Sequence, residues 1–305
     1  MRRFSKCFRV TLASVVLLVS WFGGAVHAAD NQGVKKCSEC HESEVKVWEG
    51  TAHKASFREI HKKAKAKEIS KAAGGGKSMK KNETCQTCHY TMVAKRAGKE
   101  PTPNAGPSCE SCHGASSDWL VIHNDDKVDI KKRHEAAKKA GMIWSFMHFD
   151  IAKNCMLCHG LADPRLEAKE LAAMLDAGHP INPDFEMVRY SQGTVRHRFY
   201  PPDTSKNAEM TAAELARMFI TGQAAKLVSA AEAIGKSDHA KYVDAQKKRA
   251  ASASKALAMV TSVPAVKTLL ATPNEANARA VVAAIQDKDL SGEVGKALPK
   301  KDSYK

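Results

Sequence analysis

Four short repeats constrain what this chain can fold into more than any other feature. Eight of its nine cysteines form four Cys-x-x-Cys pairs, and a histidine follows each pair directly. The repeats are Cys37-Ser-Glu-Cys40-His41, Cys85-Gln-Thr-Cys88-His89, Cys109-Glu-Ser-Cys112-His113 and Cys155-Met-Leu-Cys158-His159. This regularity excludes an ordinary globular domain in which cysteine and histidine are incidental.

Each repeat has the spacing that covalent haem attachment requires. Two cysteines three positions apart lie on one face of a helical turn, where they can bind the two vinyl groups of a porphyrin as thioethers. The histidine that follows is then placed as the proximal ligand of the iron. We therefore predict four haem c groups, bound through all eight paired cysteines and ligated by His41, His89, His113 and His159. Four large apolar porphyrins would also explain why aromatic residues make up only 6% of the chain.

Other uses of paired cysteines explain the repeats less well. Two Cys-x-x-Cys pairs can build a tetrahedral zinc site, and disulfides are common in exported proteins. Neither needs a histidine after every pair. A thioredoxin-like redox pair requires a strand–helix–strand context, which the sequence does not predict.

The first 28 residues have the pattern of an export signal. Four basic residues precede an apolar run over 10–26, and small residues precede a cleavage position near Ala28. We expect a periplasmic protein, because haem c is attached outside the cytoplasm. An uncleaved N-terminal membrane anchor is the alternative, although an apolar run of 17 residues is short for a membrane span.

The sixth coordination position of each iron decides whether that haem carries electrons or binds small molecules. Five histidines are candidates for this position. Apolar neighbours of His53 and His123 indicate that these two are buried against haem. The sequence leaves open which of the other three are ligands. Arginines flank His197 and could pair with haem propionates. The candidates are His53, His123, His148, His179 and His197.

Two stretches carry a resemblance to a known family. They are KKCSECHESEVKVWEGTAHKA, and GPSCESCHG with a histidine ten residues beyond its own histidine. Over about residues 34–160 the chain resembles the tetrahaem cytochrome c-554 family. The resemblance implies distal pairs and one five-coordinate, high-spin haem: His53 with His113, His123 with His159, His148 with His41, and the open haem on His89.

A third stretch, GHPINPDFEMVRYSQGTVRHR, departs from that pattern. It resembles a wider group of exported multihaem cytochromes, in which GHP and a following histidine recur. Because the stretch contains His179 and His197, either of them could close the open position of the haem on His89.

The sequence predicts a mainly α fold. Residues 29–204 are expected to form a multihaem cytochrome c domain, with short helices and long loops wrapped around four haems. Residues 205–305 are expected to form a C-terminal, Ala- and Lys-rich helical region. The Lys-rich stretch 61–81, which contains three consecutive glycines, is expected to be a mobile loop. Helix N-caps are expected at Thr211, within a capping box, and at Thr272.

The charge of the chain bears on its partners. Removal of residues 1–28 would lower the net charge from +15 to +11, since they hold four basic residues and no acidic one. Such a surface favours acidic redox proteins as electron donor and acceptor. The resemblance implies a membrane quinol enzyme or a hydroxylamine oxidoreductase-like enzyme. Contact with an anionic membrane surface stays open, and nucleic acid is not an expected partner of an exported haem protein.

We therefore expect an electron carrier rather than an enzyme, namely a periplasmic tetrahaem cytochrome that relays electrons between redox enzymes. The alternative is a haem enzyme. In that hypothesis a five-coordinate haem on His89 binds or reduces nitric oxide or another small nitrogen or oxygen species.

Overall fold

The computed structural model describes residues 29–96 and 98–305 of the chain. The predicted export signal or anchor, with its cleavage position, lies in residues 1–28 and so outside the described residues. The described chain is mainly α-helical, as expected. Its helices before residue 205 are α1 (Val34–Ser38), α2 (Glu42–Glu49), α3 (Ala52–Glu59), α4 (Ala66–Ala72), α5 (Glu83–His89), α6 (Cys109–His113), α7 (Ile130–Lys139), α8 (His148–His159), α9 (Ala168–Asp176) and α10 (Met187–Ser191).

A longer set of helices follows residue 205. Within the described residues, none of the helices is both long and apolar enough to cross a membrane. The later helices are α11 (Ala212–Ala233), α12 (Ala240–Leu257), α13 (Pro264–Ala271), α14 (Glu275–Ile285) and α15 (Ser291–Val294).

A small antiparallel sheet lies between α5 and α6. Its strands are β1 (Thr91–Val93) and β2 (Thr102–Ala105), and Met92 pairs with Pro103. A two-stranded sheet consists of edge strands, which tolerate proline because one side of each strand has no hydrogen-bonding partner. The sheet connects the second repeat to the third along the chain.

The stretch 61–81 is not the mobile loop that its lysines predict, because α4 (Ala66–Ala72) occupies its middle. Ile69 packs against an apolar cluster that contains Leu171 of α9. The prediction was wrong because the lysines lie on the solvent side of a short helix whose other side is apolar. Helix α4 is therefore part of the core under the second repeat.

One of the two predicted helix caps is confirmed. Thr211 precedes α11, its backbone N–H donates to Glu214 Oε2 at 2.8 Å, and its side chain accepts from the Glu214 backbone N–H. The cap expected at Thr272 was wrong by two residues. Asn274 caps α14 instead, because its side chain accepts a hydrogen bond from the Asn277 backbone N–H at 2.8 Å.

Helix α8, which ends in the fourth repeat, is held by the later helices. The Tyr242 hydroxyl donates to the Leu161 carbonyl at 3.0 Å, and Gln246 Nε2 donates to the Gly160 carbonyl at 2.9 Å. Both carbonyls belong to the end of a helix, where backbone acceptors lack intrahelical partners. Helix α11 also packs along α8. The helices after residue 205 therefore pack directly on the fourth repeat. The expected domain boundary near residue 204 stays a prediction.

Candidate haem-binding sites

The repeats lie on short helical turns. Helix α5 ends at His89, α6 at His113 and α8 at His159, whereas in the first repeat α1 ends at Ser38 and His41 precedes α2. A helical turn brings two cysteines three positions apart to one side. This local geometry is the one that thioether attachment requires.

The cysteine thiols show which repeats are neighbours. All eight are free thiols, and their Sγ atoms stand for the sulfurs of the thioether bonds. The thiols of Cys37 and Cys109 lie close enough to shift each other's pKa, as do those of Cys88 and Cys158. The neighbouring thiol and burial together raise the pKa of Cys37 and of Cys88. The first repeat therefore lies against the third, and the second against the fourth.

The third and fourth repeats are also neighbours. Asn154 Nδ2 in α8 donates to the Cys112 carbonyl at 3.1 Å. Burial raises the pKa of the Cys112 thiol to about 11, and the nearby Cys158 thiol adds to this shift. In space, the repeats therefore follow each other in the order first, third, fourth, second.

Each proximal histidine faces a second histidine from a distant part of the chain. The distances between ring centroids fall in a narrow range, although the four pairs come from different elements. They are His41–His123 at 6.3 Å, His53–His159 at 6.1 Å, His89–His179 at 6.1 Å and His113–His197 at 6.3 Å.

This separation fits one metal ion between the two rings. An imidazole nitrogen binds a first-row metal at about 2.0 Å and lies about 1.1 Å from its ring centre, so a bis-histidine iron separates the centroids by about 6.2 Å. Direct ring packing gives no reason for four unrelated pairs to keep this same distance. The residues present therefore fit four haem groups with two histidine ligands each.

Hydrogen bonds orient several of these rings for metal binding. A ligating histidine donates its Nδ1–H to a carbonyl, and this leaves Nε2 for the metal. Four of the eight rings have their Nδ1 atom near a backbone carbonyl in this way: His113 to Ile143 (2.7 Å), His123 to Leu120 (2.6 Å), His179 to Pro180 (2.8 Å) and His197 to Val195 (2.6 Å).

Burial keeps the rings in the neutral form that binds a metal. Burial, together with the smaller effects of the nearby His179 and His159, lowers the pKa of His89 to about 4. Burial also lowers the pKa of His159 to about 4, with a smaller effect of His53. Taking a charged group out of water disfavours the charged form, so these imidazoles are neutral near pH 7.

Buried donors around the pairs lack partners within the described part of the chain. They include the Trp119 indole N–H, the Tyr90 hydroxyl and the Nε atoms of Arg189, Arg196 and Arg198. Buried donors are nearly always satisfied, and guanidinium groups bind carboxylates well. Haem propionates are carboxylates, and they would satisfy such donors.

Known proteins resemble the first part of the chain. Residues 36–114 match the family model described as Cytochrome c554 and c-prime. Over these residues the chain is similar to the cytochrome c-554 family. Cytochrome c-554 of Nitrosomonas europaea is 26% identical to the chain over 133 residues, which are 42% of this chain and 57% of that relative. No solved structure matches the chain.

The family match includes the first three repeats and ends at Gly114. The cytochrome c-554 family implies haem c as the cofactor of these repeats. The fourth repeat and the histidines that face the first three lie beyond the matched residues. For those positions the structure shows which histidine rings face each other.

The structure corrects two ligand pairs that the cytochrome c-554 resemblance implies. His53 faces His159 rather than His113, and His123 faces His41 rather than His159. His123 is turned towards the first repeat because Trp119 packs edge-on against it, with ring centroids 5.2 Å apart.

His53 is positioned by a close approach of the backbone at Gly106. A Cβ atom on Gly106 would overlap the His53 carbonyl. The Trp48 indole N–H also donates to the Pro107 carbonyl at 2.9 Å, which ties α2 to the segment after β2. The sheet thus decides where His53 lies.

His148 does not face His41, so this expected ligand pair is wrong. His148 is the first residue of α8, and its surroundings include Arg198, Glu214 and Arg217. Helix α11 packs along α8, so His148 at the start of α8 lies beside the later helices and not beside the first repeat. Of the three histidines that the sequence leaves open, His179 and His197 face proximal histidines.

The expected open haem on His89 is not supported by the geometry. His179 follows α9, and its ring lies 6.1 Å from that of His89. The stretch GHPINPDFEMVRYSQGTVRHR therefore supplies partners for both the second and the third repeat, His179 and His197 respectively.

Glu110, between the two cysteines of the third repeat, is a residue that sequence reasoning missed. It is 5% exposed, and its carboxylate accepts hydrogen bonds from the backbone N–H groups of Gln32 and Gly33, each at 2.8 Å. Ser116 donates to it through both its backbone N–H and its hydroxyl. Glu110 thus fastens the start of the first repeat to the third. No sequence pattern marks such a non-local anchor.

We expect Glu110→Gln to destabilise the haem-loaded protein by about 1.5–3 kcal/mol, the range for hydrogen bonds to a charged group. The neutral amide is a weaker acceptor, and its NH2 group would face backbone donors. Denaturant unfolding measures the change. Glu49→Gln, at an exposed position of α2, is the matched control and should change stability by less than about 0.5 kcal/mol. Equal unfolding curves for Glu110→Gln and wild type would show that the anchor is unimportant.

The corrected pairing predicts different spectra for two histidine variants. His123→Ala should convert one haem in four to the high-spin ferric form, because the iron on His41 loses its sixth ligand. His148→Ala should leave all haems low-spin. Electron paramagnetic resonance of the oxidised protein measures both. High-spin iron in His148→Ala but not in His123→Ala would restore the pairing that the resemblance implies.

Proposed function

We propose that this protein is a periplasmic tetrahaem c-type cytochrome that relays electrons between redox enzymes. The observation that carries the proposal is the set of four histidine pairs, each spaced for one bis-histidine iron. Haem c supplies reversible one-electron oxidation and reduction of its iron. The chain attaches the four groups, fixes their axial ligands and sets their spacing.

Histidine on both sides of an iron favours electron transfer over catalysis. A haem enzyme needs an open coordination position where its substrate can bind. The enzyme hypothesis relied on an open haem on His89, but His179 faces that residue across the width of one iron. Since no described feature favours nitric oxide chemistry, we do not propose it.

The spatial order of the repeats supports a relay. Contacts between thiols and between repeats place the first beside the third, the third beside the fourth, and the fourth beside the second. Haems attached to neighbouring repeats would lie close together, since each is covalently bound at the contact. Electrons would then pass between the first and second repeats through the other two.

The first and second repeats lie at the two ends of this series, and the first is the more exposed to solvent. The His41 side chain is 51% exposed, whereas burial depresses the pKa of His89 at the other end. Phe146 stacks on Trp144, and the Trp144 ring lies 6.5 Å from that of His123, which faces His41. The surface around Phe146 therefore adjoins the first haem site.

We propose that this surface, which we call the 121–146 face, binds an acidic redox protein. Four of the seven large apolar side chains exposed in the described chain lie on it: Val121, Val128, Ile130 and Phe146. The same segment carries five exposed lysines, which outnumber its exposed acidic residues, Asp126, Asp129 and Glu135. The lysines are Lys127, Lys131, Lys132, Lys138 and Lys139. An apolar centre with a charged rim is typical of a transient protein interface.

Spectroscopy of the oxidised protein tests the electron-carrier proposal. The purified, export-processed protein should contain four haems and show low-spin ferric signals alone. The reduced protein should not bind carbon monoxide, because every iron already has two histidine ligands. A high-spin signal or a carbon monoxide complex at one haem in four would contradict full bis-histidine ligation and would favour the enzyme hypothesis.

Charge reversal tests the docking face. The double variant Lys131→Glu/Lys132→Glu should accept electrons from reduced plant-type ferredoxin, an acidic probe, about three- to ten-fold more slowly at low salt. Stopped-flow absorbance measures the rate, and the difference should fade at high salt. The control Lys255→Glu/Lys267→Glu carries the same charge change on exposed positions of the later helices. Equal slowing in both double variants would refute a localised face.

A further inference from the structure

His197 lies on a loop that has little secondary structure of its own. Helix α10 ends at Ser191, and the residues that follow form turns and then irregular chain up to the start of α11. The Val195 carbonyl orients the ring through Nδ1, but this contact is local to the loop. A ligand held opposite His113 to within tenths of an ångström needs support from outside the loop.

Residues 301–305, which we call the strap, provide that support. The Thr194 backbone N–H donates to the Lys305 carbonyl at 2.9 Å, and the Lys305 N–H donates to the Arg189 carbonyl at 3.0 Å. The strap is thus hydrogen-bonded to backbone groups at both ends of the turn that leads to His197. It arrives there from more than a hundred residues away in the chain.

Gly193 allows the strap to approach this closely. A Cβ atom at this position would overlap the backbone of Lys305. Because the neighbouring atoms are backbone rather than a flexible side chain, they cannot move aside without displacing the strap or the loop. The absence of a side chain at Gly193 is therefore part of the contact.

Charged and apolar contacts hold the strap itself. Lys301 Nζ lies 2.7 Å and 2.9 Å from the two carboxylate oxygens of Glu209, which also pairs with Arg196 at 3.5 Å. Glu209 thus joins the strap to the residue before His197. Tyr304 packs against the main apolar core of the later helices, so the strap rests on a rigid support.

We infer that the strap positions His197 as the sixth ligand of the third haem. This inference rests on the proposed function, which makes His197 a ligand. It adds that the third haem, in the interior of the relay, owes its six-coordinate state to a segment far from every attachment repeat. Loss of the strap contacts would move His197 away from the third haem, whose iron would then have His113 as its one histidine ligand.

The test compares glycine variants of the full haem-loaded chain. Gly193→Ala should convert one haem in four to the high-spin ferric form, and the reduced protein should then bind carbon monoxide at that haem. Added imidazole should restore the low-spin signal, because it binds the axial position that His197 has left. Gly292→Ala is the control, because a Cβ there meets nothing within 4 Å; it should remain fully low-spin.

Tyr304→Ala tests the same inference from the strap side and decides the question if Gly193→Ala does not fold. His197→Ala shows how large the high-spin signal is when the ligand is lost. If His197→Ala gives high-spin iron but both Gly193→Ala and Tyr304→Ala stay fully low-spin, the strap has no positioning role. If His197→Ala itself stays low-spin, the ligand assignment of the proposed function fails instead.

Discussion

Two imidazole rings that face each other across the width of one iron atom are the constraint on which the rest of this structure depends. The four pairs keep centroid separations of 6.1–6.3 Å, although their members come from helices, turns and irregular loops. Side chains that merely pack together have no reason to leave a gap of constant width. Each pair therefore leaves room for one metal ion between its two rings, and this fits the four haem groups that we propose.

Holding these gaps open requires polar anchors as well as apolar packing. Glu110 accepts hydrogen bonds from two backbone N–H groups just before the first repeat. Tyr242 and Gln246 donate hydrogen bonds to the two carbonyls that follow α8. Each anchor is buried, so leaving its partners without hydrogen bonds would cost free energy. Buried polar residues of this kind fix relative position, which apolar contacts alone specify poorly.

The region after residue 205 contacts the parts of the chain that carry the fourth repeat and His197. Its helices pack along α8, which carries the fourth repeat, and its strap contacts the loop that carries His197. Residues 36–114, the part that matches the cytochrome c-554 family, hold three of the four repeats but only one of the four histidines that face a repeat histidine, His53. The later residues thus supply the other three facing histidines, His123, His179 and His197.

The sequence by itself determined the helical character and the confirmed cap at Thr211, and it carries the predicted haem attachment motifs, because these depend on residues within one or two turns of each other. All four histidines that face a repeat histidine are among the candidates that the sequence offered. Only the tertiary structure decided which proximal histidine each one faces, and it excluded His148. The members of each pair are 82 to 106 residues apart, so their meeting depends on how the sheet, α8, α11 and the strap pack together. No local pattern encodes a contact over such a distance.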